Sequence, residues 1–555
     1  MPDPEADYPK LQAQRQALLQ ELVPLDQLRR GSLIEQYVVT RRKDGARVRR
    51  GPYPLLTRKR GPKTVSRRLT DPALVPLYRQ QIQALRQFET VVGQLVQVGE
   101  HLSELAVAEQ VQKKLAVELE QAAEVRRLAA ALAGAPAPDL EAWETVMWQA
   151  ARRGGAGVLA TLLAHWQQHA PRSAVRCRCG ARMRSGGRRA KQLRTILGAV
   201  PFARSRYACE ACDHIRFPDD ERLDIVQTTY SPGVRRLMAR AGSQSHFGQA
   251  AADLRCYAGL ELDPREIERI SEEVGRQVEQ WLAQEQTALQ EARPRTLPAA
   301  KRIPKFYVSF DGTGVPMRRA ELVGRRGKQA DGSARTREAK LGCVFTQVGV
   351  DAAGRPQREP DSTTYVGAIE SSTCFGWRLY AEAMRRGLEQ ARQVIVLTDG
   401  ARYNHTIVHT HFPGAVHIVD LFHACEHLTL LAQLRWGAQA EAPQAWREAL
   451  EAGDIATLLR RAGQRLPAAA SPRPALLKAL HYFEENAAQM RYGWFREQQF
   501  FVGSGVVEAG CRTVIGQRLK QSGMRWSVRG ANAIIALRCC LLSDRFEDFW
   551  ASRPR

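Results

Sequence analysis

No stretch of the 555 residues stays apolar for the length a membrane-spanning helix needs, and residues 1–30 lack the apolar core of a signal peptide. Those absences set the expectation of a cytoplasmic, nucleoid-associated protein without a membrane partner. Acids are short: 58 Asp and Glu face 82 Lys and Arg, a net charge of +24. Such a surplus calls for a polyanionic partner, most simply nucleic acid. Cysteines are few and odd in number, eleven in all. An odd count without an export signal excludes a closed disulfide framework and points to reduced thiols, with close pairs able to bind metal. No Ser, Tyr or Cys stands in a convincing nucleophile motif, so a covalent enzyme intermediate is not expected. What is present is 44% hydrophobic residues, in a chain long enough for several domains and at least one large core.

Residues 1–30 read as a helix with Leu11, Leu18, Leu19 and Leu22 as its apolar positions. From Arg41 to Arg68 come twelve Lys/Arg against one acid, Asp44. Short strands at Tyr37–Thr40, Leu55–Arg58 and Thr64–Leu69 are separated by turns at Asp44-Gly45, Gly51-Pro52 and Gly61-Pro62. Together they give a small basic β-module over 1–70, with a disordered basic arm as the alternative. Its candidate phosphate contacts are Arg41, Arg42, Lys43, Arg49, Arg50, Arg58, Lys59 and Arg60. In the helical segment 71–133, Ile82, Leu85, Phe88, Val92, Leu95, Val98, Leu102 and Leu105 recur at near-heptad spacing. That seam fits either a helix packed on its own domain or a dimerising coiled coil. AGAPAP at 133–138 opens a helical linker over 134–171.

Cys177 and Cys179, then Cys209 and Cys212, flank two strand-like runs, Leu193–Leu197 and Val200–Tyr207. The CxC-G turn, the hairpin and the CxxC make a zinc-ribbon pattern over 172–220. Four thiolates give Zn²⁺ a tetrahedral structural site that clamps a hairpin too small to fold alone. Eleven Lys/Arg and no acid lie from Arg172 to Arg206. Arg182, Arg184, Arg188, Arg189 and Lys191 are therefore further candidate DNA contacts. Residues 221–300 are expected to be helical, with a capped start at Ser231-Pro232. Phe247–Tyr257 and Pro264–Ile270 fit either a DNA-binding helix-turn-helix around Leu262-Asp263 or a plain helical spacer.

The second half carries the acids. KFYVSFDGTGVPM (305–317) is read as a strand that ends in Asp311-Gly312-Thr313, and LGCVFTQVGV (341–350) returns antiparallel to it. A third strand is expected at Thr364–Val366, a helix at Phe375–Ala391, and a fourth strand at Val394–Thr398 that delivers Asp399. A short helix at 402–411 and a fifth strand, Val416–Val419, end at Asp420. The order β-hairpin-β, α, β, α, β matches an α/β RNase H-like core, a mixed sheet with helices on its faces. In that topology Asp311 and Asp399 face each other at one sheet end, where two carboxylates repel unless a cation lies between them. FFVGSGVVEAGCRTVIGQRLKQSGMRW (500–526) supplies the third acid: Ser504 caps a helix and Glu508 sits in its first turns. Arg512, Arg518 and Lys520 follow on the same helix, ready to hold phosphates, and Arg525 lies just beyond. Gly510 permits close backbone approach. Between Asp420 and Glu508 lies an all-α insertion containing Trp436, Trp446 and Trp494.

DGT at 311–313, TDGARYN at 398–404, IVDLFHACEHL at 418–428 and GSGVVEAGC…QRLKQSGMRW at 503–526 are long, ordered motifs. With the cysteine ribbon, they make residues 172–550 resemble an insertion-sequence transposase of the ISKra type, in the acidic-triad (DDE) group. The basic N-terminal region resembles a small companion domain of unknown function, but carries TRRKDGARVRR where such domains have a cysteine cluster. The resemblance implies an RNase H-like core, terminal inverted-repeat DNA and target DNA as partners, and a homo-oligomer on DNA. It implies strand transfer with two Mg²⁺ or Mn²⁺ ions held by Asp311, Asp399 and Glu508, beside structural Zn²⁺. Asp420 and His423 are candidates for a supporting role at that site. The domain reading is then 1–70, 71–133, 134–171, 172–220, 221–300, a core in 301–428, the insertion at 429–499, and 500–555 with the catalytic Glu. Alternatives are a DNA-binding regulator or inactivated transposase, a junction resolvase, and a zinc peptidase built on the HxxEH pattern of His423, Glu426 and His427.

Overall fold

The structure is a computed structural model that describes residues 4–42, 45–60, 63–132, 139–169, 174–291, 302–327, 329, 331–463 and 473–553. The chain divides into two units, Met1–Val158 and Leu159–Arg555.

In the first unit, α1 (Pro4–Leu22) precedes an antiparallel sheet of β1 (Ser32–Arg41), β2 (Arg47–Arg60) and β3 (Lys63–Arg68), and α2 (Leu74–Leu132) follows. Leu18 of α1 packs with Val91 and Val98 of α2, flanked by Leu95 and Leu102. Ile82, early in α2, closes a second small core with Leu56 and Leu69. Ile82, Leu95, Val98 and Leu102 of the near-heptad seam are thus taken up inside their own unit, where 1–70 and 71–133 share small cores, and the Leu105 side chain lies outside the described residues. Gly51-Pro52, expected as a turn, lies inside β2, where the register against β1 shifts between Gln36 and Val38. A bulge tolerates proline's missing N–H, so the strand continues through it. Asp44 and the Gly61-Pro62 turn lie outside the described residues. The unit boundary falls within the next helix, α3 (Leu140–His169).

The second unit opens on an antiparallel sheet of β4 (Arg184–Thr195), β5 (Gly198–Ala208) and β6 (Ile215–Arg216). Leu163 and Trp166 of α3 cover Leu193 and Phe202. The short α4 (Pro218–Arg222) is followed by α5 (Pro232–Gln244), α6 (Phe247–Ala258) and α7 (Pro264–Gln290). Each of the last three starts on a side-chain cap: Ser231 accepts from Val234 N, His246 from Gln249 N, and Asp263 from Arg265 N. The stripe Ile267, Ile270, Val274 and Val278 on α7 packs against Val234 and Met238 of α5 and against Leu537 near the C-terminus. These helices are built into a core, because their apolar stripe needs the C-terminal helix to cover it.

The central sheet comprises β7 (Ile303–Pro316), β8 (Thr336–Val350), β9 (Pro356–Arg358) and β10 (Thr364–Ala368), then, after α8 (Ser372–Arg385), β11 (Ala391–Thr398). It ends, after α9 (Arg402–His411), in β12 (Val416–Val419). The strand order is β10-β8-β7-β11-β12, with β9 paired to β8. β8 runs antiparallel to β7 and β10, whereas β7, β11 and β12 are parallel. The two-residue period of β7 divides its side chains between the faces. Phe306, Val308 and Phe310 pack under Phe375, Leu379 and Val408 of α8 and α9. Tyr307, and with it Asp311, belongs to the opposite face.

That opposite face is covered by the rest of the chain. A helical block follows β12: α10 (Leu421–Trp436), α11 (Gln444–Ala452), α12 (Ile455–Gly463), α13 (Arg473–Glu485) and α14 (Tyr492–Glu497). Then come α15 (Gly505–Gly510), a π-helical turn at Cys511–Gly516, α16 (Gln517–Leu519), α17 (Val528–Leu542) and α18 (Phe546–Ser552). Leu428, Trp446, Phe483 and Phe495 of the block share one core with Tyr307, Leu397, Val514 and Ile534. Trp446 is thus a core residue, and Trp436 leans on it with ring centroids 5.1 Å apart. Among the described residues, no helix is long and apolar enough to cross a membrane.

Candidate metal and nucleic-acid site

β7 and β11 pair in parallel up to Ser309 and Leu397. Asp311 and Asp399 each stand two residues further on, on the same face. Asp399 follows the end of β11, but Asp311 does not end its strand as expected: β7 runs on to Pro316, because its pairing with β8 continues through Asp311–Leu341 to Pro316–Thr336. Asp399 is fixed by its turn. Its Oδ1 accepts from Ala401 N at 2.9 Å and from the Asn404 amide, and its carbonyl accepts from the Tyr482 hydroxyl of α13 at 3.1 Å. Gly400 makes this turn possible, with φ at +80°. A Cβ there would stand 3.1 Å from Tyr482 Oη and 3.3 Å from Asn486 Oδ1, so the helical block grips the turn directly. Asp311 Oδ1 accepts from Gly312 N at 2.6 Å.

Glu508 reaches this sheet end through α15. One turn beyond it, Cys511 Sγ lies 3.9 Å from Asp311 Oδ2. Gly510 lets the helix sit on the sheet, since a Cβ there would meet Tyr365 at 2.7 Å and Leu341 at 3.1 Å. Ser504 stands at the N-cap as expected but does not cap with its side chain. Its hydroxyl donates instead to Glu508 Oε1 at 2.7 Å, while its backbone N–H donates to Asp420 Oδ2. Asp420, fully buried, also caps α10 by accepting from His423 N at 2.7 Å, and its own N–H donates to Thr398 O at 2.8 Å. One residue therefore ties the end of β11, the start of α10 and the start of the Glu508 helix together. Ligand atoms of Asp420, His423 and Glu508 lie within 4.8 Å of one another, and Asp311 and Asp399 do not join this group: among the described residues, Glu508 is gathered with the two residues expected to support the site and not with the two expected to share its metal.

Burial pushes the Asp311 carboxyl above its ordinary range, and the charges of Asp399 and Glu508 push it the same way. At Asp420 burial acts upward too, but the hydrogen bonds from His423 and Ser504 outweigh it and hold the group low. Asp420 in turn raises His423 to about 9, so this ring is a cation at neutral pH. On the other flank, Lys520 donates to Thr313 Oγ1, two residues past Asp311.

The expected cation row on this helix is only partly realised. Arg512, Lys520 and Arg525 reach solvent, but Arg518 is completely buried. Its Nε donates to Gly242 O at 2.9 Å and its guanidinium lies over the rings of Phe247 and Trp526, at 4.5 and 5.1 Å. Burial holds it down to about 10. Arg518 is therefore no DNA contact. The π turn adds a residue and rotates everything after it relative to a regular α-helix, so even spacing along the sequence misplaces it. The carbonyls of that turn are taken up by Arg538 of α17, which donates to Val514 O at 2.6 Å and to Thr513 O.

The second metal-capable group is Cys177, Cys179, Cys209 and Cys212. Sγ separations are 3.5 Å for Cys177–Cys212, 3.6 Å for Cys179–Cys209 and 3.7 Å for Cys179–Cys212. A tetrahedron with Zn–S bonds of about 2.3 Å has edges of roughly 3.8 Å, so the four sulfurs fit zinc and are too far apart for disulfides. Backbone geometry prepares them: the Cys179 N–H lowers Cys177 to about 7, and Gly180 N turns back to Cys177 O at 2.9 Å. Around this knuckle Arg182, Arg184, Arg188 and Arg189 are exposed. Lys191 is not a DNA contact, because its side chain is only 7% exposed and its Nζ pairs with buried Asp220 at 2.9 Å. In the first unit Arg41, Arg42, Arg49, Arg50, Arg58 and Lys59 are exposed, with Arg49 lying 3.6 Å over the Tyr37 ring. Lys43 and the Arg60 side chain lie outside the described residues.

The HxxEH pattern does not gather as a zinc peptidase requires. Among the described residues, His423 groups with Asp420 and Glu508, while the His427 ring stacks on Tyr482 at 3.7 Å. Sequence reasoning missed Ser504 as a partner of Glu508, Cys511 beside Asp311, and Tyr482 and Asn404 on the Asp399 turn. A Ser four residues before the Glu was the one visible signal among them.

No family model and no curated protein matches the sequence. Among solved structures the chain is similar to the Drosophila P element transposase strand transfer complex, at 9% identity and a TM-score of 0.20, over 59% of this chain and 84% of that one. A likeness at that score carries no argument about this chain.

Proposed function

We propose that the protein is a DNA transposase of an ISKra-type bacterial insertion sequence, which cuts transposon ends and joins them to target DNA. What supports the reading is that Asp311 and Asp399 lie just past the last paired residues of two adjacent parallel strands, and that the helical segment carrying Glu508 touches Asp311 through Cys511. The strand order, with β8 alone running opposite to the other four main strands, suits an RNase H-like core, and the block between Asp420 and Glu508 is its all-α insertion.

Asp311, Asp399 and Glu508 would hold Mg²⁺ or Mn²⁺. The donors fit: all are hard carboxylate oxygens, and Asp311 is buried against like charges that a cation would relieve. Two such ions supply activation of water or a 3′-hydroxyl and stabilisation of the leaving oxygen. The remaining work falls to the chain. The Asp420–Ser504 tether holds Glu508 at the sheet end. The His423 cation, with Nδ1 turned toward Asp420, offers Nε2 to a phosphate oxygen, and Lys520, Arg512 and Arg525 line the approach. The zinc-pinned ribbon and the basic β-sheet grip the backbone of the duplex without reading bases.

The test is nicking and joining of inverted-repeat and random duplex DNA in Mg²⁺. Asp311→Ala, Asp399→Ala and Glu508→Ala should each abolish cutting with DNA affinity nearly unchanged. A variant that cuts at the wild-type rate removes that residue from the site. Binding without any cutting by the wild type favours a regulator, and cutting of branched DNA without joining favours a resolvase.

A further inference from the structure

Phe422 is the residue that the site leaves unexplained. It lies in the first turn of α10, between buried Asp420 and half-buried His423, yet it is 67% exposed. Its ring is nonetheless held. A Cβ placed on Gly503 would stand 3.0 Å from Phe422 Cε2 and 3.7 Å from Asp420 Oδ2. The ring therefore rests on the turn whose next residue, Ser504, is bonded to both Asp420 and Glu508. Nor does Phe422 open an apolar stripe, because Glu426, one helical turn on, is exposed and charged. A protein partner would need a wider apolar surface than this.

A fixed, outward aromatic beside a phosphodiester-cutting centre has one close chemical match, the flat face of an unpaired nucleobase. Bases in an intact duplex are stacked on each other, whereas a duplex opened at the cut frees one. We infer that Phe422 is a stacking platform for an unpaired base next to the reacting phosphate. The inference rests on the DNA-cutting reading and adds a base-binding subsite to it. Stacking accepts any base, so the subsite selects opened DNA over closed DNA without selecting sequence.

The experiment uses the full chain and two DNA probes, a blunt duplex and a forked duplex with 2-aminopurine in its unpaired arm. Binding is measured in Ca²⁺, and nicking is followed in parallel in Mg²⁺. The wild type should prefer the fork and quench the 2-aminopurine. Phe422→Ala should lose about tenfold of that preference, the worth of one aromatic–base stack, along with the quenching. Phe422→Trp should restore both, and neither variant should change the melting temperature. Wild-type binding without fork preference, or unchanged preference and quenching in Phe422→Ala, overturns the inference. A wild type that nicks without quenching sinks the stack and spares the enzyme reading; Phe422-dependent quenching with no cutting does the reverse.

Discussion

Asp420→Asn is a change of one atom with a calculable cost. Both carboxylate oxygens accept backbone N–H groups, one from His423 and one from Ser504, at a side chain with no solvent exposure. Asparagine keeps one acceptor and turns an NH₂ toward the other N–H. One charge-assisted bond disappears and one buried donor is left unpaired. Each term is about 1–3 kcal/mol, so the local cost should be roughly 2–6 kcal/mol. The tether joins element starts, so the loss should appear first as local opening. Amide exchange at His423 and Ser504 should speed up by about 30-fold or more, the equivalent of roughly 2 kcal/mol, while amides in β7 change little. Mg²⁺-dependent nicking should fall with it, because Ser504 also holds Glu508. Ser504→Ala separates the two effects: it should lower nicking while leaving the His423 amide protected. Wild-type exchange at both amides in Asp420→Asn would refute the tether.

Three further outcomes are expected in other parts of the chain. Replacing Cys209 and Cys212 together by Ser should remove bound zinc, measured by elemental analysis, and loosen the β4–β5 hairpin; retained zinc would remove these thiols from the site. Lys191→Met leaves the Asp220 carboxylate with Arg204 as its remaining cation, so it should destabilise the second unit by about 1–3 kcal/mol in urea, whereas Arg182→Met, at the surface, should cost little. Neutralising Arg41, Arg42, Arg49 and Arg50 should weaken DNA binding across sequences and flatten its salt dependence by about one unit for each phosphate no longer neutralised, read from affinities at several salt concentrations.

Much of the second half could be read from the chain because its strands are short, apolar and bounded by turns. Val394–Thr398 and Val416–Val419 reappear as β11 and β12 with at most a few residues added, and Asp399 stands at a strand end as expected, whereas the strand of Asp311 continues to Pro316 because β8 pairs with it that far. The cysteine spacing likewise led to four sulfurs with zinc-sized separations. What resisted reading was anything set by packing between distant segments. Arg518 and Lys191 carry the same charge as their exposed neighbours, and only a π turn in one case and a buried aspartate in the other draw them inside. Helices α5 to α7 could not be placed in a core from the sequence, because their apolar stripe is completed by α17, far away in the chain. Phe422 gave no signal, since exposure is invisible in a sequence.

The most direct test is diffraction from crystals grown in Mn²⁺, with anomalous scattering locating the ion. Manganese should lie within about 2.2 Å of carboxylate oxygens of Asp311, Asp399 and Glu508, the bond length for a hard divalent cation on oxygen. Manganese held elsewhere, or these three carboxylates found too far apart to share it, would contradict the assignment of a metal-dependent DNA-cutting site.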